Sequence, residues 1–176
     1  MEIFDIYDEN RIKTGRTMRR GDATADGDYR LVIHVCIFSS EGKMLIQQRQ
    51  PFKSGWSGLW DVSVGGHAVQ GDDSRTAAER EVLEELGLEF DLKGIRPAIT
   101  VNWSHGFDDY YVIERDINLS DLVLQLEEVK AVKWADLDEI KSMIDDESFI
   151  PYHKSFIELL FHLKDHSDTR TRADRG

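Results

Sequence analysis

The chain has 176 residues, of which 34 are acidic and 22 basic, giving a net charge of −12 at pH 7. This length suffices for one domain with its own core, and the acidity argues against nucleic-acid or membrane partners. The single cysteine excludes an intrachain disulfide and the cysteine spacings of zinc sites. A signal-peptide pattern and a long apolar run are both absent. We therefore expect a one-domain cytoplasmic protein.

The first part of the chain predicts a hairpin followed by a loop. Residues 2–17 alternate weakly between apolar and polar side chains and carry turn residues in their middle. Residues 16–29 are polar and punctuated by glycine, so we interpret them as a surface loop. Its arginines either face solvent or meet phosphate.

Two apolar runs predict adjacent central strands. Residues 31–38 read LVIHVCIF, which suits a strand buried on both faces, and a turn leads into MLIQQRQ at 44–50. His34 and Cys36 point to the same face of the first strand, because side chains alternate along a strand. We interpret both as core positions rather than as a ligand pair.

A further strand at 59–64 delivers two glycines to a helix at 74–86. Ala78, Val82 and Leu86, with Leu83 beside them, give this helix an apolar stripe. The residues before it supply N-cap candidates, and Gly87 suits the position after its end.

Three glutamates of this helix share one face. Glu81, Glu84 and Glu85 stand at i, i+3 and i+4, within a stripe about 100° wide. Like charges so close are destabilising unless a cation or solvent compensates them. Mg²⁺ prefers oxygen ligands, and Gly66, without a Cβ, allows a carbonyl to turn towards a cation. The pattern predicts a Mg²⁺ site, with a solvated acidic face as the alternative.

The second half of the chain predicts strands at 95–102 and 110–117. The glycine-bearing loop between them supplies candidate substrate contacts, namely Trp103, His105, Phe107 and Asp109. A strand at 127–134 follows, then a helix from 135 to about 143 and another after Pro151. The tail 165–176 lacks large apolar residues, so we expect it to be frayed and without function.

The glutamate helix carries a pattern that resembles a known family signature. Gly66, five residues, an acid, seven residues and then REVLEELGL from Arg80 to Leu88 closely resemble the Nudix box. The family usually has Glu where this chain has Asp72. Residues 30–164 as a whole look like one Nudix domain. The resemblance implies an α/β fold, an α/β/α sandwich with a mixed sheet, within a single domain at 1–164.

The resemblance also implies an activity and the residues that perform it. It implies a Mg²⁺-dependent hydrolase, with Mn²⁺ as an alternative metal, that cleaves a diphosphate linkage in a nucleoside diphosphate derivative or similar small molecule. Members are often homodimers, although nothing in the sequence identifies an interface. It implies that Glu84, Glu85 and the Gly66 carbonyl bind the metal, and that Glu81 is either a further metal ligand or the general base. Arg80 would orient the glutamates. Two roles stay open, since Arg49 either contacts a phosphate or has no part in the site, and Glu128 either binds the metal or is a solvated acid.

Two other functions remain open at this stage. The order of segments is similar to isopentenyl-diphosphate isomerases of the same family, but Gly65 stands where their essential cysteine is expected. Arg30 likewise stands where an early metal-binding histidine is expected, and Cys36 lies on a different strand. The other alternative is a non-catalytic Nudix module that binds a nucleotide, although all three box glutamates are present.

Overall fold

The computed structural model describes residues 2–166 of the chain. The predicted frayed tail therefore lies outside the described residues, except for residues 165 and 166. The secondary-structure elements are β1 (Ile3–Tyr7), β2 (Lys13–Arg19), β3 (Arg30–Phe38), β4 (Met44–Arg49), β5 (Trp60–Asp61), β6 (Val64–His67), α1 (Ser74–Leu86), β7 (Ile99–Trp103), β8 (Gly106–Glu114), β9 (Val129–Ala135), α2 (Leu137–Asp145) and α3 (Lys154–Leu163).

Seven strands form one mixed sheet in the order β5-β4-β3-β8-β7, with β6 paired to β3 and β9 to β4. β3 and β8 run parallel along their whole length, whereas the other pairs are antiparallel. β3 and β4 are neighbours, as predicted, but they pair at Phe38 and Met44. β6 takes the same edge of β3 nearer its start, between Val32 and Val35. The two partners of this edge thus separate, and a gap opens between β4 and β6.

Helices cover both faces of the sheet. α1 packs through Ala77, Ala78, Val82 and Leu86 on the face that holds Ile33 and Val35 of β3. The opposite face holds Cys36 and Phe38 and is covered by α2 and α3. The predicted α/β/α sandwich with a mixed sheet is therefore confirmed. No helix within residues 2–166 has the length and apolar character needed to cross a membrane.

The predicted strand at 59–64 is wrong in detail, because the chain changes partner within it. β5 pairs with β4, and β6 pairs with β3. Ser63 lies at the change and bridges the two neighbours, since its hydroxyl accepts from the Ile37 N–H at 2.8 Å and donates to the Leu45 carbonyl at 2.5 Å. A serine with both bonds made can be fully buried at this point.

The predicted loop at 103–109 is also wrong, since most of it belongs to strands. β7 and β8 are joined by a tight turn at Ser104 and His105. Gly106 makes this turn possible, because a Cβ there would lie 2.5 Å from both the Arg30 carbonyl oxygen and the Trp103 ring. The side chains predicted to lie on a loop are therefore mostly held by the sheet.

The N-terminal hairpin β1–β2 is confirmed, with β2 reaching Arg19, and it is tied to the sheet by an ion pair whose carboxylate is buried. Asp109 is fully buried and accepts two hydrogen bonds from Arg11, at 3.0 and 2.6 Å. Thr100 and Ser74 each donate a further hydrogen bond to it at 2.6 Å. One carboxylate thus connects the hairpin turn, β7 and the first residue of α1.

We expect Asp109→Asn to lower the free energy of unfolding by about 1–3 kcal/mol, because at this fully buried position the amide replaces one of the two oxygens that accept from Arg11, Thr100 and Ser74 with an N–H donor. Urea denaturation measures this difference. Asp26→Asn removes the same charge from an exposed loop position and is the matched control, with an expected change within about 0.5 kcal/mol. Equal stability of the two variants would contradict a structural role for the ion pair.

Candidate active site

A cavity of about 470 Å³ lies beside the glutamate face of α1. Its walls combine α1 with the glycines of β6, the start of β3, β8 and several connecting segments. The lining residues are Glu2, Arg20, Val32, His34, Arg49, Trp56, Asp61, Gly65, Gly66, His67, Glu81, Glu84, Glu85, Asp108, Tyr110, Gln125, Glu128, Ile150 and Tyr152. The predicted metal ligands and Arg49 are all among them.

Local signals define both ends of α1. Asp73 is the N-cap and forms a capping box with Thr76, and Gly87 ends the helix in the left-handed conformation with φ of 70°. The helix has the predicted bounds. Leu83 departs from the predicted apolar stripe, because it is 48% exposed.

Two of the three box glutamates are withdrawn from water. Glu85 is 4% exposed and accepts a hydrogen bond from Gln47 at 2.9 Å. Burial, and then the charge of Glu81, raise the pKa of Glu85 to about 8. Burial also raises the pKa of Glu81 to about 7, although Arg80 opposes this shift. The site therefore holds two carboxylates whose charged forms need additional positive charge.

Arg80 connects the glutamates with the segment before the helix. Its Nη1 lies 3.0 Å from a carboxylate oxygen of Glu81 and 3.0 Å from one of Glu84. Its other nitrogens donate to Asp72 at 3.0 and 3.1 Å and to the His67 carbonyl at 2.9 Å. The shorter Asp72 therefore still reaches the arginine, and Arg80 contacts two of the three box glutamates.

Gly66 lies directly against the Glu81 carboxylate. A Cβ at Gly66 would be 2.2 Å from Cδ and Oε1 of Glu81. Its backbone pairs with Ile33 in the sheet, so Gly66 cannot move away. The absence of a side chain here is what allows Glu81 to approach the sheet edge.

The donor groups fit a hard divalent cation in type. Glu81, Glu84, Glu85, Glu128 and the Gly66 carbonyl offer oxygen only, which suits Mg²⁺. In residues 2–166, however, no three His, Cys, Asp or Glu side chains converge as a complete metal cage. The contacts explain this arrangement, because Glu84 pairs with Arg80 and Glu128 pairs with Lys53. A metal site formed by these residues would therefore require Glu84 to release Arg80 and Glu128 to release Lys53.

Arg49 lies in the cavity wall, whereas the four predicted contacts from 103–109 do not. The Arg49 Nε donates to the Gly55 carbonyl at 3.0 Å. Phe107 is buried in the core, Asp109 holds Arg11, and Trp103 donates to Asp108 at 2.7 Å. The cavity uses Asp108 and Tyr110 from this region instead.

His34 is the main correction among the predicted core residues. Cys36 is fully buried, as expected, and burial raises the pKa of its thiol. His34 instead lines the cavity, stacked on Tyr110 with ring centroids 4.3 Å apart. α2 and α3 cover the later part of this sheet face, so the alternation that buries Cys36 leaves His34 at the open part. Its role depends on where the covering helices end, which strand periodicity does not reveal.

The N-terminal hairpin also reaches the site. Phe4 stacks on His67, with ring centroids 4.8 Å apart, and Glu2 and Arg20 line the cavity as an ion pair at 2.8 Å. Burial, and then Arg30 and Arg20, lower the pKa of His67 to about 4. His67 is therefore a neutral side chain of the wall near pH 7.

Comparisons with known proteins agree with this architecture. A family model described as the NUDIX domain matches residues 28–160. An uncharacterized Nudix hydrolase of Listeria monocytogenes is 47% identical over 164 residues, covering 93% of this chain and 96% of that protein. An isopentenyl-diphosphate Delta-isomerase of Pectobacterium atrosepticum is 31% identical over 153 residues, 82% of this chain and 83% of that protein. The crystal structure of DR0079 from Deinococcus radiodurans superposes with a TM-score of 0.71 at 22% identity, covering 92% of this chain and 98% of that one. The chain therefore belongs to the Nudix family and is, as predicted, a hydrolase that acts on pyrophosphate bonds.

Proposed function

We propose that this hydrolase is Mg²⁺-dependent and cleaves the diphosphate linkage of a small molecule such as a nucleoside diphosphate derivative. The main support is the adjacent carboxylates of the buried Glu85 and the largely buried Glu81 beside an open cavity, since burial raises their pKa values to about 8 and about 7. Burying such charges is costly unless a cation compensates them. A divalent metal ion would supply that compensation and would also bind the phosphate oxygens of a substrate.

We assign the binding roles that the Nudix resemblance implies, because the residues concerned all line the cavity. Glu84 and Glu85 are the main ligands for Mg²⁺, and the Gly66 carbonyl and Glu128 are the further ones. When bound, the metal neutralises phosphate oxygens and lowers the pKa of a coordinated water. Arg49, in the cavity wall, contacts a phosphate of the substrate.

Glu81 acts as the general base, and Arg80 keeps the Glu81 carboxylate in position. Glu81 accepts a proton from the attacking water, whose oxygen bonds to phosphorus while the bridging P–O bond breaks. Arg80 holds Glu81 in position through one ion pair, and a second ion pair with Asp72 holds Arg80 itself. If Glu84 bound a metal ion in place of Arg80, the Arg80 contacts with Glu81, Asp72 and the His67 carbonyl would still hold the guanidinium.

Two observations speak against an isopentenyl-diphosphate isomerase. Cys36 is fully buried in the core beneath α2 and α3, so it cannot replace the cysteine expected at Gly65. A Cβ at Gly65 would already lie 3.0 Å from the His34 Nδ1, so a cysteine side chain at this position would crowd His34 in the cavity wall. Hydrolysis of a diphosphate needs neither a cysteine at position 65 nor the thiol of Cys36.

The test is a substrate panel of nucleoside diphosphate derivatives and prenyl diphosphates, incubated with Mg²⁺ or Mn²⁺. We expect metal-dependent release of a monophosphate product, loss of activity with EDTA, and recovery when Mg²⁺ is restored. Product analysis distinguishes the alternatives. Double-bond migration without phosphate release would favour an isomerase, whereas binding without turnover, equal in the parent and Glu84→Gln, would favour a non-catalytic module.

A further inference from the structure

One wall of the cavity, formed by His34 of β3 and Asp108 and Tyr110 of β8, takes no part in the proposed metal chemistry. The parallel register of β3 and β8 places Val32 opposite Asp108 and His34 opposite Tyr110. The side chains of alternate residues share a face, so His34 and Asp108 come together at the open part of the sheet. We call this pair of side chains the polar wall.

Each member of the polar wall is held by a neighbour. Asp108 Oδ1 accepts a hydrogen bond from the Trp103 Nε1 at 2.7 Å. The His34 ring lies flat on Tyr110, with an angle of 9° between the ring planes. Beneath them, the Tyr152 hydroxyl donates to the buried Asp61 carboxylate at 3.0 Å. The polar wall is therefore rigidly supported rather than a set of loose surface groups.

The supports leave one donor and one acceptor without a partner inside the cavity. Nδ1 of His34 is buried and has no hydrogen-bond partner among the described residues. Because a buried N–H without an acceptor is rare, we assign an N–H to Nε2, the ring nitrogen that faces Asp108. Nε2 lies 3.7 Å from Asp108 Oδ2, beyond the usual hydrogen-bond length of about 3 Å. The two atoms thus face a shared space without bonding each other.

We propose that the polar wall recognises a hydroxyl group on the moiety attached to the diphosphate, so that the substrate carries a sugar or another hydroxylated group. The hydroxyl oxygen accepts from His34 Nε2–H, and its own hydrogen is donated to Asp108 Oδ2. This inference rests on the proposed diphosphate hydrolysis and adds the chemical class of the substrate.

The rest of the cavity agrees with a polar, uncharged group at this wall. Seven carboxylate side chains line the cavity, namely Glu2, Asp61, Glu81, Glu84, Glu85, Asp108 and Glu128, whereas its large apolar lining residues are Val32, Trp56 and Ile150. A hydrocarbon tail would desolvate Asp108 and His34 without replacing their hydrogen bonds. A second phosphate would be repelled by Asp108. A hydroxyl satisfies both partners.

Steady-state kinetics with Mg²⁺ and three kinds of probe test the proposal. The probes are two hydroxylated diphosphates, ADP-ribose and UDP-glucose, the hydrocarbon isopentenyl diphosphate, and the minimal methyl diphosphate. We expect the better hydroxylated probe to exceed isopentenyl diphosphate in kcat/KM by about 100-fold or more. A preference for isopentenyl diphosphate would overturn the inference.

Two variants locate the preference in the polar wall. Asp108→Asn keeps an acceptor for Trp103 but presents an amide donor to the hydroxyl, and His34→Phe keeps a ring on Tyr110 but removes the N–H. Each should lower kcat/KM for the hydroxylated probe by about 10- to 100-fold and change that for methyl diphosphate by less than about twofold. Glu114→Gln, at the exposed end of the same strand, is the charge-matched control and should behave as the parent. An equal loss on methyl diphosphate would mean general damage and overturn the inference.

Binding separates this inference from the proposed function. Calorimetric titration of the parent and Asp108→Asn with ADP-ribose and UDP-glucose in Ca²⁺ measures affinity without requiring turnover. Weaker binding by the variant, with no hydrolysis by the parent, would refute the hydrolase proposal and leave hydroxyl recognition standing. Equal affinity, or no binding of either probe by the parent, would overturn hydroxyl recognition.

Discussion

Glu85→Gln will lower kcat on the order of 1,000-fold while making the metal-free protein more stable. The loss of activity is expected because the variant lacks a main carboxylate for the cation that supports the reaction. The gain in stability is expected because the buried Glu85 charge lies close to Glu81 and, within residues 2–166, its carboxylate accepts a hydrogen bond from Gln47 alone. A neutral amide of the same shape removes this desolvation penalty, worth roughly 1–3 kcal/mol.

The stability difference should depend on pH in a defined direction. The pKa of Glu85 is raised from 4.5 to about 8 in the folded protein. Folding therefore favours the protonated Glu85 side chain. Its contribution to stability is fully present below pH 4.5, the pKa in the unfolded chain, and is lost as the pH rises through about 8, the pKa in the folded protein. Urea denaturation in EDTA should show the Glu85→Gln advantage at pH 8 and little difference near pH 4.5.

Metal addition and a matched variant complete this test. Mg²⁺ at pH 8 should raise the melting temperature of the parent and have little effect on Glu85→Gln. Glu89→Gln removes an exposed carboxylate just beyond the helix and should match the parent in kcat, stability and metal response. A Glu85→Gln protein with parental activity would refute the assigned metal role.

The second large effect is expected for Gly66→Ala, which should lower kcat/KM about 100-fold with little loss of stability. The new methyl group would collide with the end of the Glu81 side chain at 2.2 Å. That end can rotate away, so the fold tolerates the change, but a displacement of about 1 Å at a reacting group can cost about 100-fold in rate. Substrate kinetics and thermal unfolding measure the two consequences separately.

Gly55→Ala is the control for the glycine substitution. A Cβ at Gly55 meets nothing within 4 Å, and this glycine does not have a positive φ. We expect parental kinetics for it. If Gly66→Ala also kept parental activity, the close approach of Glu81 to the sheet edge would not be needed for the reaction.

The glutamate helix could be predicted closely because its signals are local. The capping box at Asp73, the glycine at 87 and the spacing of Glu81, Glu84 and Glu85 lie within one short segment. Such signals depend on neighbouring residues and not on the rest of the fold. The bounds of α1 and its position at the cavity followed from them.

The opposite wall of the cavity could not be predicted, because its residues meet only through sheet register. His34 and Asp108 are far apart in the sequence and come together because β3 and β8 pair in parallel. Strand alternation placed His34 on the correct face but did not reveal where α2 and α3 stop covering it. Similarly, the change of partner at Ser63 depends on the separation of β4 and β6, which is a property of the whole sheet.

The N-terminal hairpin lies outside the region that the family model matches, but it contributes to the candidate active site. The family match starts at residue 28, after the hairpin. A protein shortened to that point would lose the ring stacked on His67 and would leave Asp109 buried without its arginine. The region matched by the family model is thus smaller than the part of the chain that lines the cavity, and we expect a shortened protein to keep the site intact only if it includes the first two strands.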